Sequence, residues 1–322
     1  MASPSLKKVL KTVVPIALGL FLVWYSYYST SDEEREQILY YIKNADLFWV
    51  ILSVLIGILS HLSRAIRWNY MLKPLGYRPK LSNNVLIILM AYFANLGIPR
   101  SGEFLRATAL STYEGVPFEK GFGTIVTERV IDLIMLLLVI IIALLLQTDV
   151  ILDFLGNNGI NLVSAALLLG VGIVGLIVFL YLIRKSKSGF TLKLKNFLNG
   201  LLEGISSIFK MEQKWLFTLH TFIIWVCYVA MFWVIKYTVP ETMDLSLSEL
   251  LVAFVGGAFA MSTTNGGIGL YPIAVSASLA IFGISSVSGD AFGWIMWIAQ
   301  TLMVVVFGAI SFLLLPLLNR NR

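Results

Sequence analysis

Residues Asn84–Pro99 read NVLIILMAYFANLGIP, an apolar run (84–98) that Gly97 and Pro99 stop short. A spanning helix needs about 20 apolar residues, so the run is expected to enter the membrane and turn back. Directly after it, Arg100-Ser101-Gly102-Glu103-Phe104-Leu105-Arg106 places three charges at the turn. A second broken piece lies at 250–284. Its first run (250–261) breaks at Ser262-Thr263-Thr264-Asn265-Gly266-Gly267-Ile268-Gly269, and a second run continues to Ile284. Irregular backbone at membrane depth survives only where protein or a water-filled cavity satisfies its polar groups.

Outward from these pieces, apolar stretches of membrane length occur at 13–29, 47–62 (extending towards 72), 124–147, 161–183, 215–237 and 290–316. A span (47–72), a broken pair (84–113) and a span (124–147) are followed by a span (215–237), a broken pair (250–284) and a span (290–316). The order repeats while the expected orientation inverts, a pattern that points to a transporter site near the bilayer midplane. The expected fold is therefore all-α: a polytopic membrane protein with six full spans and two re-entrant helical hairpins arranged as an inverted repeat. One integral membrane domain, 1–322, would comprise an N-terminal span with an outer interfacial segment (1–46), a first repeat (47–147), a span with a cytoplasmic amphipathic linker (148–214) and a second repeat (215–322).

Composition agrees. Of 322 residues, 58% are hydrophobic and only 13% charged, about half the charge of a soluble domain. That excludes a soluble enzyme and a disordered chain. The net charge of +6 does not read as a nucleic-acid footprint, because the bases lie beside apolar spans rather than on one solvated face. Lys and Arg gather at 7–11, 64–80, 184–214 and 320–322, whereas the opposite loops hold Arg35, Lys43 and Lys236 among many acids. The positive-inside rule then places both termini in the cytoplasm, and a bacterial cytoplasmic (inner) membrane is expected. The first span follows Lys7, Lys8 and Lys11 as a secretory signal would, but an aromatic belt, Trp24-Tyr25-Ser26-Tyr27-Tyr28, follows it instead of a small-residue cleavage site, so it reads as retained. Ser31-Asp32-Glu33-Glu34 reads as a helix start. Leu194, Phe197, Leu198 and Leu201 recur at helical spacing between lysines, fitting either an interfacial helix on anionic lipid or a linker packed on the protein.

Charges near apolar backbone carry the functional reading. Arg100 at the bend and Arg106 beyond it can form a phosphate-binding corner, since a guanidinium matches phosphate bidentately. Gly102 permits a close approach there, and a helix beginning at it would point N–H groups at an anion. Glu103 and Arg106, one turn apart, can pair. A solvated loop whose charges pair only with each other is the alternative. At the mouth of the third span, Glu128, Arg129 and Asp132 have the spacing of an ion-pair latch, with Arg129 able to serve a substrate instead. His61, Arg64 and Arg67 form a basic stripe, either snorkelling to cytoplasmic phosphates or, at His61, touching substrate or a proton path. Asn265, Gly266, Gly267 and Gly269 can bind a polar headgroup, act as a hinge, or pack helices closely.

At these residues the chain resembles the lysylphosphatidylglycerol synthase transmembrane-region family, often labelled flippase-like. The likeness is carried by Pro99-Arg100-Ser101-Gly102-Glu103 with Arg106, by Glu128-Arg129 with Asp132, by Arg67-Trp68, and by Gly266-Gly267 with Gly269. It runs over roughly residues 10–316. One departure is Pro272, where many members carry an acid, so a proton or cation role assigned to that acid does not transfer. The resemblance implies lipid handling by a flippase half without a synthase.

The expected function is movement of a phosphate-bearing lipid across the cytoplasmic membrane. Arg100, Arg106 and Arg129 would contact the headgroup, Glu103, Glu128 and Asp132 would orient them, and the glycine break would flex or line the cavity. No cofactor and no metal site is expected. Membrane lipids are the expected partners, nucleic acid is not, and homodimerisation is left open. Without a GxxxxGK[ST] pattern, movement would be passive or coupled to an ion gradient. The rivals are a membrane-embedded transferase using the outer acids Asp32, Glu33, Glu34 and Glu36, and a non-catalytic envelope partner.

Overall fold

The computed structural model describes residues 4–150, 153, 175 and 211–320. Among them the regular elements are all helical: α1 (Pro4–Ser29), α2 (Asp32–Lys43), α3 (Leu47–Leu72), α4 (Leu81–Gly97), α5 (Ser101–Glu114), α6 (Phe118–Leu146), α7 (Lys214–Ile235), α8 (Leu247–Thr263), α9 (Leu270–Ala280) and α10 (Ser286–Leu318). Four of these, α3, α6, α7 and α10, are long and apolar enough to cross a membrane, which makes this a polytopic membrane protein. Of the six expected spans, the first falls in α1, whose apolar stretch Ile16–Ser29 is shorter. The span expected at 161–183 and most of the linker, 184–210, lie outside the described residues.

The chain divides into two compact units, Met1–Ile125 with Trp215–Arg322, and Val126–Lys214, the boundary falling inside α6. The first unit holds both broken pieces. Each is a helical hairpin, α4–α5 and α8–α9. Their first helices are both 17 residues long, about 25 Å at 1.5 Å per residue and shorter than the hydrocarbon core. Three residues beyond each first helix the backbone turns left-handed, at Arg100 (φ 62, ψ 13) and at Gly266 (φ 62, ψ 22).

Helix α10, 33 residues long, is the strut against which both hairpins pack. Gly289 abuts Ser276 and Gly293 abuts Pro272, so the first half of α10 lies close against α9. Farther along, Gly308 abuts Phe93 and the Leu89 carbonyl of α4. At the far end Asn319 and Asn83 exchange side-chain hydrogen bonds of 2.9 and 3.0 Å. Both α9 and α4 run antiparallel to α10, one beside each half. The end of α4 therefore meets the break before α9, where Asn265 Nδ2 donates to the Leu96 carbonyl at 2.6 Å. Trp297, between the two halves of α10, donates to the Gly266 carbonyl at 2.8 Å.

Helices α3 and α7 pack antiparallel. Ser53 Oγ donates to the Met231 carbonyl at 2.9 Å, and Ser63 Oγ lies 2.7 Å from His220 Nδ1. Helix α2 starts as its sequence dictates: Ser31 and Glu34 form a reciprocal capping box, which satisfies two donors that the first turn leaves open.

Candidate functional site

The basic stripe of α3 faces inward. Arg64 and Arg67 are 2% and 0% exposed, His61 is buried, and Trp68, next to Arg67, is fully buried. Snorkelling does not describe these arginines, because their helix face is covered by α7 and by the first hairpin. Arg64 Nη2 donates to the Tyr228 hydroxyl at 2.9 Å, and Arg67 Nη1 to Thr221 Oγ1 at 3.2 Å, both partners on α7. From the first hairpin, Arg106 of α5, 3% exposed, lays its guanidinium over the Trp68 ring at 3.8 Å. The indole is held by its own N–H, which donates to Thr124 Oγ1 at 2.8 Å. Three buried guanidinium groups thus belong to or contact residues 64–68 of α3, two from its stripe and one over the tryptophan. A desolvated cation over an aromatic face is stabilised by about 2 kcal/mol, and intramembrane ionisable residues mark functional sites by default.

His61 stands one turn before Arg64 on the same stripe of α3. Its ring lies 4.6 Å from that of Tyr92 on α4, and its Nδ1 has no hydrogen-bond partner among the described residues.

Arg100 is placed elsewhere. It is exposed at the tip of the first hairpin, and it is the non-glycine residue with a positive φ among the described residues. Such a conformation stores on the order of 1–2 kcal/mol. Nearly two turns of α5 separate it from buried Arg106, so the corner expected from 100–106 is divided between an exposed tip and a buried cluster. Gly102 is needed for packing: a Cβ there would come within 2.2 Å of the Ala91 carbonyl. Its N–H is not offered to an anion, because it donates to Asn95 Oδ1 at 2.7 Å. The expected Glu103–Arg106 pair does not form. Arg106 turns to Trp68, and Glu103 Oε2 is buried without a hydrogen-bond partner among the described residues.

In the second unit, Arg129 reaches Glu128 at 3.3 Å and Asp132 at 3.7 Å. The expected latch is formed, with Glu128 fully buried.

The second-half break is a joint. Asn265 is buried, and a Cβ on Gly266 would press on Leu96 of the first hairpin. One on Gly267 would meet Met261 and Tyr271 within the same hairpin, and one on Gly269 would fall 2.5 Å from the Gly19 carbonyl of α1. The hydroxyls of Ser262 and Thr263 return to the Phe259 carbonyl. Pro272 sits in the first turn of α9, where a missing N–H leaves no helical bond unmade, and it packs on Gly293.

Residues the sequence reading passed over include Asn95, Tyr92, Tyr228 and Thr221. The amide of Asn95, two residues before Gly97 in an apolar run, was the available signal. Among the described residues no three His, Cys, Asp or Glu side chains cluster closely enough for a metal ion.

Fold and site together define a helical membrane protein whose buried arginine cluster is assembled from a long helix and an interrupted hairpin. The chain belongs to the lysylphosphatidylglycerol synthase TM region family, which matches residues 12–308. It is 25% identical over 304 residues to the UPF0104 membrane protein PH1989 of Pyrococcus horikoshii, covering 87% of this chain and 88% of that one. Over 100 residues it is 35% identical to the UPF0104 membrane protein MJ1595 of Methanocaldococcus jannaschii, 30% of each chain. A third likeness, 29% over 102 residues, is to glycosyltransferase AglD of Haloferax volcanii, covering 31% of this chain and only 16% of that protein. All three relatives are archaeal, whereas the sequence reading expects a bacterial membrane. No solved structure matches the chain.

Proposed function

We propose that the protein binds the phosphate-bearing headgroup of a membrane lipid at Arg64, Arg67 and Arg106 and carries it across the membrane. The observation that carries this reading is the burial of three guanidinium groups at residues 64–68 of α3, Arg64 and Arg67 from that helix and Arg106 of α5 over Trp68. Planar guanidinium forks pair bidentately with phosphate oxygens, and a site on a rigid helix beside a broken hairpin suits a translocated headgroup. Arg100 at the exposed hairpin tip is the first contact for the incoming anion, and the tip is the moving part. Arg129, committed to Glu128 and Asp132, is a structural group rather than a headgroup contact.

The two hairpins support an inverted repeat of re-entrant elements. They share helix length and turn geometry, open towards opposite ends of α10, and meet between its halves. With both termini in the cytoplasm, the arginines lie on the cytoplasmic side of that meeting point. A transferase acting on a lipid-linked sugar is the second reading, supported by the partial likeness to a protein named as a glycosyltransferase; it would use the same phosphate chemistry.

The test is a flipping assay in liposomes carrying fluorescent phosphatidylglycerol. Wild type should exchange label between leaflets, and Arg64→Gln or Arg67→Gln should slow exchange at least tenfold, about 1.4 kcal/mol in the barrier. Wild-type rates in both variants would sink the site. Equal transport of a lipid lacking phosphate would sink the ligand class.

A further inference from the structure

Two ring nitrogens, His61 Nδ1 on α3 and Trp225 Nε1 on α7, are buried without a hydrogen-bond partner among the described residues. Both side chains are more than nine-tenths buried, at 6% and 8% exposure. Leaving such a group unpaired is costly, and roughly 90% or more of buried polar groups in folded proteins find partners. Comparable rings in this protein do. Trp68 donates to Thr124 Oγ1, Trp297 to the Gly266 carbonyl, and the second histidine, His220, has its Nδ1 2.7 Å from Ser63 Oγ.

The two unpaired nitrogens flank one bond, from Arg64 to Tyr228. His61 precedes Arg64 by one turn of α3, and the Trp225 ring packs edge-on against that of Tyr228, 5.9 Å between centroids. The helices are antiparallel, with Ser53 beside Met231 and Ser63 beside His220. That register sets Trp225 within one helical turn of the level of His61. Helical side chains lean towards their own N-terminus, so Arg64 and Tyr228 lean towards each other and meet at this level, where Nη2 donates to the hydroxyl at 2.9 Å.

We infer that His61 and Trp225 bind a hydroxyl of the same headgroup whose phosphate Arg64 holds, which makes the substrate a phospholipid with a hydroxylated headgroup. The inference rests on the headgroup reading above and adds what lies beyond the phosphate. An indole N–H can only donate, whereas an imidazole nitrogen donates or accepts according to its tautomer. A hydroxyl oxygen accepts from the indole and, through its proton or its second lone pair, satisfies either tautomer of His61. A phosphate oxygen can only accept and serves one tautomer. A glycerol or a sugar on the phosphate carries hydroxyls within a few bonds of the ester oxygen, as this spacing of Arg64 from the two rings requires.

The experiment compares two tail-labelled fluorescent lipids in phosphatidylcholine liposomes containing the full chain. One is phosphatidylglycerol; the other is phosphatidylpropanol, which keeps the phosphodiester and its charge but has no headgroup hydroxyl. Wild type should flip the first at least tenfold faster, because a site built to bond a hydroxyl rejects the analogue without it. His61→Phe and Trp225→Phe, which keep a ring and remove the nitrogen, should each erase that preference. The preference itself is read on wild type, so the test survives a variant that fails to fold. Equal rates for the two lipids in wild type would overturn the inference, the nitrogens then holding water only. So would variants that slow both lipids alike and keep the preference. Equal wild-type rates with Arg64→Gln slowing both lipids leave the headgroup reading standing. A preference erased in both ring variants with Arg64→Gln fully active sinks the headgroup reading instead.

Discussion

The two hairpins are built on one plan and finished differently. Each has a 17-residue first helix and a left-handed residue three positions past its end. In the first, the polar groups at the break are used internally: Asn95 receives the Gly102 N–H, and Ser101 donates to the Ala94 carbonyl. Its tip, Gly97, Ile98 and Arg100, is exposed. In the second, the break is spent on neighbours. Asn265 bonds to Leu96, the Gly266 carbonyl receives Trp297, and Gly269 abuts α1. Away from its break the first hairpin is tied to neighbours as well: Asn83 and Asn319 of α10 exchange bonds, Asn84 donates to Asn69 of α3, and the Leu96 carbonyl receives Asn265. The contrast is therefore confined to the breaks, one spending its polar groups within its own hairpin and the other on neighbouring helices.

The strongest attack on that contrast is Gly102→Ala. A Cβ 2.2 Å from the Ala91 carbonyl meets backbone, which cannot rotate away, so α5 must separate from α4 and the Asn95 bond must break. The expected loss is about 3 kcal/mol, the upper end of overpacking penalties, visible as a lower melting temperature in detergent and lost flipping. A variant that melts with wild type would show that the first hairpin is not closed by this contact.

How much of this could be read from the chain alone differs by residue. The hairpins were legible because an apolar run of the wrong length is a physical contradiction in a bilayer, and Gly97, Pro99 and the 266–269 glycines mark where it resolves. The α2 start was legible because a capping box is a local pairing, as Ser31 and Glu34 demonstrate. The burial of Arg64 and Arg67 was not. An i, i+3 basic stripe reads the same whether it faces headgroups or a packed helix, and the deciding partners, Tyr228 and Thr221, lie more than 150 residues away. Gly102 was read as a bend and an anion donor, whereas its role is set by Ala91 and Asn95 on the preceding helix. The latch at Glu128, Arg129 and Asp132 was legible in part, since i, i+3 pairing is local, and Arg129 and Asp132 do pair.

A subtler pair of substitutions exchanges the finishing residues. Arg100→Gly relieves a positive φ that an arginine tolerates poorly and should stabilise the fold by about 1 kcal/mol, raising the melting temperature. If the exposed guanidinium gathers anionic headgroups, the same variant should slow flipping severalfold. Gly266→Ala should lose about 1–2 kcal/mol through strain at φ 62 and pressure on Leu96. Stability and transport thus move oppositely at Arg100 and together at Gly266. Parallel movement at both positions would erase the distinction between a functional tip and a structural joint.

The smallest effect lies at the anchored hairpin's open end. Glu241, outside the membrane helices, accepts from the hydroxyl and, at 3.0 Å, from the N–H of Ser285, the residue that caps α10. The Ser285 hydroxyl, with that of Ser288 behind it, holds the Glu241 carboxyl below its usual range. The folded state then binds this proton less tightly than the unfolded state, so the contribution is complete above the ordinary glutamate value of about 4.3 and is lost as pH falls through the lowered folded value. Because the carboxylate is exposed, solvent screens it and the effect is small. Melting temperature followed from pH 6 downwards should therefore drop slightly more steeply below about pH 4.3 in wild type than in Glu241→Gln, whose amide oxygen can still accept from Ser285 but does not titrate. Parallel curves would mean that the tie to α10 does not depend on charge, leaving the second hairpin anchored by Asn265, Trp297 and α1 alone.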